Sequence, residues 1–73
     1  MIEIRLFAHF RNGREKISFQ PVEDFPTPAH ILKHLEIEQK KVAILLVNGF
    51  HSKFDHPLKE GDIVAIFPPV AGG

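Results

Sequence analysis

The chain has 73 residues, 44% hydrophobic and 25% charged, a length that holds one small domain. Nine Lys and Arg balance nine Asp and Glu, so there is none of the phosphate-neutralising excess on which nucleic-acid or anionic-membrane binding rests. With no Cys, disulfides, thiolate metal sites and Cys nucleophiles are excluded.

Ile2, Ile4, Leu6 and Ala8 alternate with Glu3, Arg5, Phe7 and His9, the period of two of a strand with one buried face, so residues 2–8 are expected as a strand. The polar and basic residues among them make this start neither a signal-peptide core nor a membrane span, and a cytoplasmic protein is expected. Arg11-Asn12-Gly13-Arg14 supplies a turn, and residues 16–20 alternate again, completing a hairpin. Thr27 ahead of Pro28 marks a helix start, a hydroxyl to accept from free backbone N–H groups followed by a preset φ. The helix is expected from Pro28 to about Leu35, with Ile31, Leu32 and Leu35 on one side and His30, Lys33 and His34 facing water. The apolar run of residues 42–47 ends at Asn48-Gly49 and reads as an interior strand with a tight turn. A short return strand over 50–54, a turn at Lys59-Glu60-Gly61-Asp62 and a last strand from Ile63 to Phe67 complete an α+β plan. One helix covers one face of a mixed sheet, and the last strand pairs with the first.

If Ile2, Ile4 and Leu6 point to the helix, Phe7 points the other way, with Ala65 and Phe67 beside it. Contiguous apolar surface of that kind is seldom left without a use, so a partner surface is expected there. Elsewhere the chemistry is thin. His30 and His34 stand at i, i+4, but two imidazoles are not a metal site, and none is assigned. Ser52, Asp55 and His56 are neighbours in a turn, which is not the geometry of a triad. Gly13, Gly49 and Gly61 are isolated turn glycines, so no phosphate-binding loop is present and no cofactor is expected to bind this chain.

The last six residues are the most informative. Pro68 and Pro69 end sheet pairing and favour extended backbone, so residues 68–73 are expected as a flexible arm. Ala71, Gly72 and Gly73 carry almost no side-chain bulk, and a thin arm ending in a carboxylate suits insertion into another protein's active site. That carboxylate, with an ordinary pKa of about 3.5, is ionised and a poor electrophile until it is activated.

Val47-Asn48-Gly49, Leu58, Gly61-Asp62, Val64 and the run Phe67-Pro68-Pro69-Val70-Ala71-Gly72-Gly73 resemble the MoaD/ThiS family of ubiquitin-like sulfur carriers, most of all its molybdopterin synthase small-subunit branch. The resemblance is strongest over residues 42–73 and implies a β-grasp fold. It also implies that the Gly73 carboxylate is adenylated and converted to a thiocarboxylate by an ATP-dependent activating enzyme of the MoeB/ThiF type. The sulfur would pass onward with the molybdopterin synthase large subunit or an analogous acceptor enzyme, ATP being used by the activating partner. The chain is then a carrier and co-substrate, not an enzyme. Gly72, Ala71, Val70, Pro69 and Pro68 carry over as the slim tail, and Phe7 and Phe67 as docking contacts. The chain is shorter than typical molybdopterin synthase subunits, chiefly between the helix and the strand at Val42, whereas thiamine sulfur carriers are comparably short but lack the Phe-Pro-Pro-Val run. A carrier for thiamine or another sulfur-requiring pathway, and a ubiquitin-like interaction module whose tail is never activated, stand as the alternatives.

Overall fold

The structure, a computed structural model that describes residues 1–69, contains β1 (Ile2–Leu6), β2 (Ile17–Gln20), α1 (Pro28–Leu35), β3 (Ile44–Val47), β4 (Phe50–His51) and β5 (Ile63–Phe67). Short 3₁₀ turns occupy Ala8–Arg11 and Gln39–Lys41. The strands form one sheet in the order β2-β1-β5-β3-β4. β1 and β5 lie side by side and parallel at its centre, Ile4 opposite Val64 and Leu6 opposite Ile66, while β1–β2, β3–β5 and β3–β4 are antiparallel. The mixed sheet, the single helix and the pairing of first strand with last agree with the expected plan.

Alternation explains the core. Ile2, Ile4 and Leu6 of β1, Val64 and Ile66 of β5, and Leu45 and Val47 of β3 point to one side, where they meet Ile31 and Leu32 of α1. Phe10, Ile37 and Leu58 close the ends of this cluster. Each fully buried aliphatic side chain contributes about 1.5–3 kcal/mol, a large share of the several kcal/mol that hold a domain of this size together.

The turns follow their residues. Asn48 (φ 52°) and Gly49 (φ 85°) both take positive φ, the two-residue loop whose twist suits a hairpin, and they set β4 against β3. Helix α1 has the expected bounds, but Thr27 does not cap it with its hydroxyl. The Thr27 Oγ1 instead pairs with the His30 ring nitrogen Nδ1 at 2.6 Å, and the Ala29 N–H donates to the Phe54 carbonyl of the loop after β4. At the other end Glu36 takes the left-handed conformation (φ 60°), letting its own N–H and that of Ile37 return to helix carbonyls.

Several boundaries differ from the sequence reading. β1 ends at Leu6 and not at residue 8, because Ala8 adopts φ 52° and bends the chain into a 3₁₀ turn. β2 starts at Ile17, not residue 16, and β3 starts at Ile44, residues 39–41 being helical, although the Ala43 N–H already bonds to the Phe67 carbonyl. The return strand is two residues long instead of five. Pro68 is buried, so the body includes a residue that was expected in the arm; Pro69 is exposed.

Candidate functional site: the open sheet face and the root of the C-terminal segment

The face of the sheet away from α1 is largely apolar, with Glu3, Arg5 and His51 as its polar members. Register places Ala65 between Arg5 of β1 and Leu46 of β3, and Phe67 opposite Ile44. Outward on the other side, Glu3 pairs with Phe19 and Arg5 with Ile17 of β2. Ile17, Phe19 and Ile44 are 49%, 57% and 40% exposed, while Ile63, Ala65 and Phe67 are half-buried. Arg5 and Glu3 form an ion pair along β1, so this strand presents a neutralised pair instead of two separate charges.

The two aromatic residues singled out in the sequence meet here. The Phe7 and Phe67 rings stack with centroids 4.1 Å apart and planes 11° from parallel. Phe7 follows the end of β1, and Phe67 is the last residue of β5, so the stack lies where the chain leaves the sheet through Pro68 and Pro69. Pro69 lines a shallow groove with His9, Phe10, Arg14, Ile37 and Lys41. Arg14 is occupied inside it, donating to the Leu35 carbonyl at the end of α1 at 2.9 Å and to the Phe10 carbonyl at 3.3 Å. The other predicted site residues, Val70, Ala71, Gly72 and Gly73, lie outside the described residues.

Asn48 and Asp62 tie the hairpin turn to the start of β5. The Asn48 amide nitrogen donates to Asp62 Oδ1 at 2.8 Å, its amide oxygen accepts from the Ile63 N–H at 2.9 Å, and the Lys59 N–H donates to Asp62 Oδ2 at 2.8 Å. Desolvation pushes the Asp62 pKa up, but it is outweighed by the Lys59 N–H, the Asn48 amide and the positive charges of His56 and Lys59. The net effect holds the carboxyl below its ordinary value of 3.8. A carboxyl with a depressed folded pKa adds stability above its unfolded pKa and loses it as pH falls through the folded value. Wild-type protein should therefore lose more of its urea resistance between about pH 6 and about pH 3 than Asp62→Asn does. Equal losses in the two proteins would show that Asp62 contributes nothing to acid sensitivity.

The remaining candidates have local uses. His30 is paired with Thr27, His34 lies edge-on to Phe25 with centroids 5.0 Å apart, and the Ser52 hydroxyl donates to the Lys53 carbonyl at 3.0 Å. No helix among the described residues is long and apolar enough to cross a membrane. Sequence reasoning found Phe7, Ala65 and Phe67 but missed Ile17 and Phe19 as part of the same face. Their alternation with Ser18 was visible, and the parity of the β1–β2 register decides which side they take.

A mixed five-stranded sheet in this order with one helix on one face is the ubiquitin-like β-grasp, and the solved structures it matches share that architecture. The ThiS family profile matches residues 4–73, and the chain belongs to that family. It is 36% identical to the molybdopterin synthase sulfur carrier subunit of Escherichia coli, covering 100% of both chains. It is 32% identical to small archaeal modifier protein 3 of Haloferax volcanii, covering 99% of this chain and 98% of that one. Among solved structures, the Haloferax volcanii HVO 2177 protein superimposes with TM-score 0.75 at 34% identity, over 99% of this chain and 85% of that one. The fold is also shared, with TM-score 0.63 at 22% identity over 99% and 97% of the two chains, by a chain of the complex of subunits 1 and 2 of the Helicobacter pylori molybdopterin-converting factor.

Proposed function

We propose that this protein is a sulfur carrier whose Gly73 carboxylate is adenylated and then converted to a thiocarboxylate that supplies sulfur for a molybdopterin-type cofactor. The observation that carries the reading is the likeness to the E. coli sulfur carrier subunit over the full length of both chains. An aromatic docking face at the root of a Gly-Gly segment supports it. In the first step a Gly73 carboxylate oxygen attacks the α-phosphorus of ATP and pyrophosphate leaves. In the second, sulfide attacks the acyl carbon, a C–S bond forms, the C–O bond to AMP breaks, and the thiocarboxylate remains. ATP and the catalytic groups belong to an adenylating enzyme of the MoeB/ThiF type. The receiving partner is the synthase large subunit, a reading supported by the fold relative from Helicobacter pylori, which comes from a complex of subunits 1 and 2 of molybdopterin-converting factor.

Likeness to small archaeal modifier protein 3 favours one second reading, attachment of the activated terminus to another protein. Both readings begin with the same acyl-adenylate and differ in its fate. Intact-mass analysis after incubation with ATP, sulfide and the adenylating enzyme from the same genome tests the activation that both require. The carrier gains one sulfur in place of one oxygen, dependent on ATP and localised to Gly73. A protein that returns unchanged from an enzyme competent on its own carrier refutes activation altogether.

A further inference from the structure

The Phe7 ring has a second neighbour besides Phe67. The guanidinium carbon of Arg11 sits over it, 5.1 Å from the ring centroid, and the Arg11 Nε donates to the Leu6 carbonyl at 2.7 Å. Leu6 is the last residue of β1, and its carbonyl lies where the ladder stops. Ala8 makes this contact geometrically available: its left-handed backbone (φ 52°) folds residues 8–11 into a 3₁₀ turn that returns Arg11 to the strand end. A left-handed alanine costs about 1–2 kcal/mol, so the bend is maintained by what it brings together. Arg14, three residues on, braces the end of α1, whereas Arg11 is exposed and braces Phe7.

We infer that Arg11 is a positioning residue for partner docking: it holds the Phe7 ring against Phe67, so that the partner meets a pre-formed aromatic pair where the C-terminal segment begins. The inference rests on the carrier reading above and specifies which residue prepares its docking face. Phe67 carries the chain directly into Pro68 and Pro69, so fixing the stack also fixes the point from which the segment departs. A ring ordered before the encounter does not have to be ordered during it, and interfaces lose affinity for each side chain they must immobilise. Cation–π attraction and one charge-assisted hydrogen bond are the forces available to Arg11 for this, and their loss corresponds to about a tenfold weakening.

Two variants of the full chain test the role. Arg11→Met keeps the aliphatic stem but removes the charge and the donor, and Arg11→Lys keeps the charge. Ring-proton shifts of Phe7 and Phe67 are read by NMR on the free protein, with the buried methyls of Ile4 and Ile66 as internal controls. The dissociation constant for the synthase large subunit is then measured, together with KM and kcat for the adenylating enzyme, both proteins from the same genome. In Arg11→Met the ring shifts should move toward those of unstacked phenylalanine while the core methyls stay in place. The dissociation constant and KM should rise about tenfold at unchanged kcat, with partial recovery in Arg11→Lys. Unmoved ring shifts, core methyls that move with the rings, or an unchanged dissociation constant would each overturn the positioning role. Wild-type protein that binds the large subunit but is never loaded with sulfur would sink the carrier reading alone, because the ring shifts and the dissociation constant still decide Arg11.

Discussion

Removal of Gly73 is expected to abolish ATP-dependent sulfur loading and to leave the folded body intact. The truncated chain still ends in a carboxylate, now on Gly72, so the reacting group is retained and only its reach changes. One residue of extended chain spans about 3.3–3.6 Å. A misplacement of about 1 Å from the reacting geometry already costs on the order of a hundredfold, so a shift of a whole residue should reduce loading below detection. The body has no reason to respond: among the described residues every member of the buried hydrophobic cluster lies between Ile2 and Ile66. Intact mass should show no sulfur on the truncated protein, while its thermal midpoint and its affinity for the synthase large subunit match the wild type. Loading at the wild-type rate would mean that the terminal position is not read by the activating enzyme.

The sequence showed most of the frame because its signals are local. Alternation in residues 2–6 and 63–67, Pro28 after Thr27, and Asn48-Gly49 each specify an element through backbone geometry that any context would respect. Three features were not legible for physical reasons. Nothing in an alanine announces a left-handed backbone, so the end of β1 and the return of Arg11 were hidden by a residue that is neutral in the sequence. Pro68-Pro69 announces only the end of pairing, and whether a proline then packs or projects depends on neighbours far away in the chain; Pro68 packs. The Thr27 hydroxyl can serve either the backbone of the first helical turn or a nearby side chain, and it pairs with the imidazole of His30 one turn later. For the candidate site, parity alone placed Phe7 and Phe67 on the same side, but the stacking of their rings depends on the parallel β1–β5 register and on the bend at Ala8.

Phe7→Asp is expected to produce the complementary defect: docking is lost while the terminus stays chemically competent. The substitution puts a carboxylate where a ring lay 4.1 Å from Phe67, on a face whose burial by a partner requires an apolar surface. Truncating a central aromatic contact costs about 2 kcal/mol or more, and a charge taken out of water there adds to that, so affinity for the synthase large subunit should fall at least about thirtyfold. The fold should tolerate the change. Phe7 is half-buried and lies outside the core cluster, and an aromatic pair contributes only about 0.5–1.5 kcal/mol beyond its burial. The new carboxylate would also lie near Arg11, a favourable pairing of charges in the free protein. Calorimetric titration against the large subunit measures the first expectation, thermal unfolding the second, and Phe7→Leu, which keeps an apolar side chain, should recover part of the affinity. If Phe7→Asp binds as tightly as the wild type, the partner does not dock on the stacked pair. In that case the stacked pair is a structural brace, and the exposed Ile17 and Phe19 of β2 become the next contacts to change.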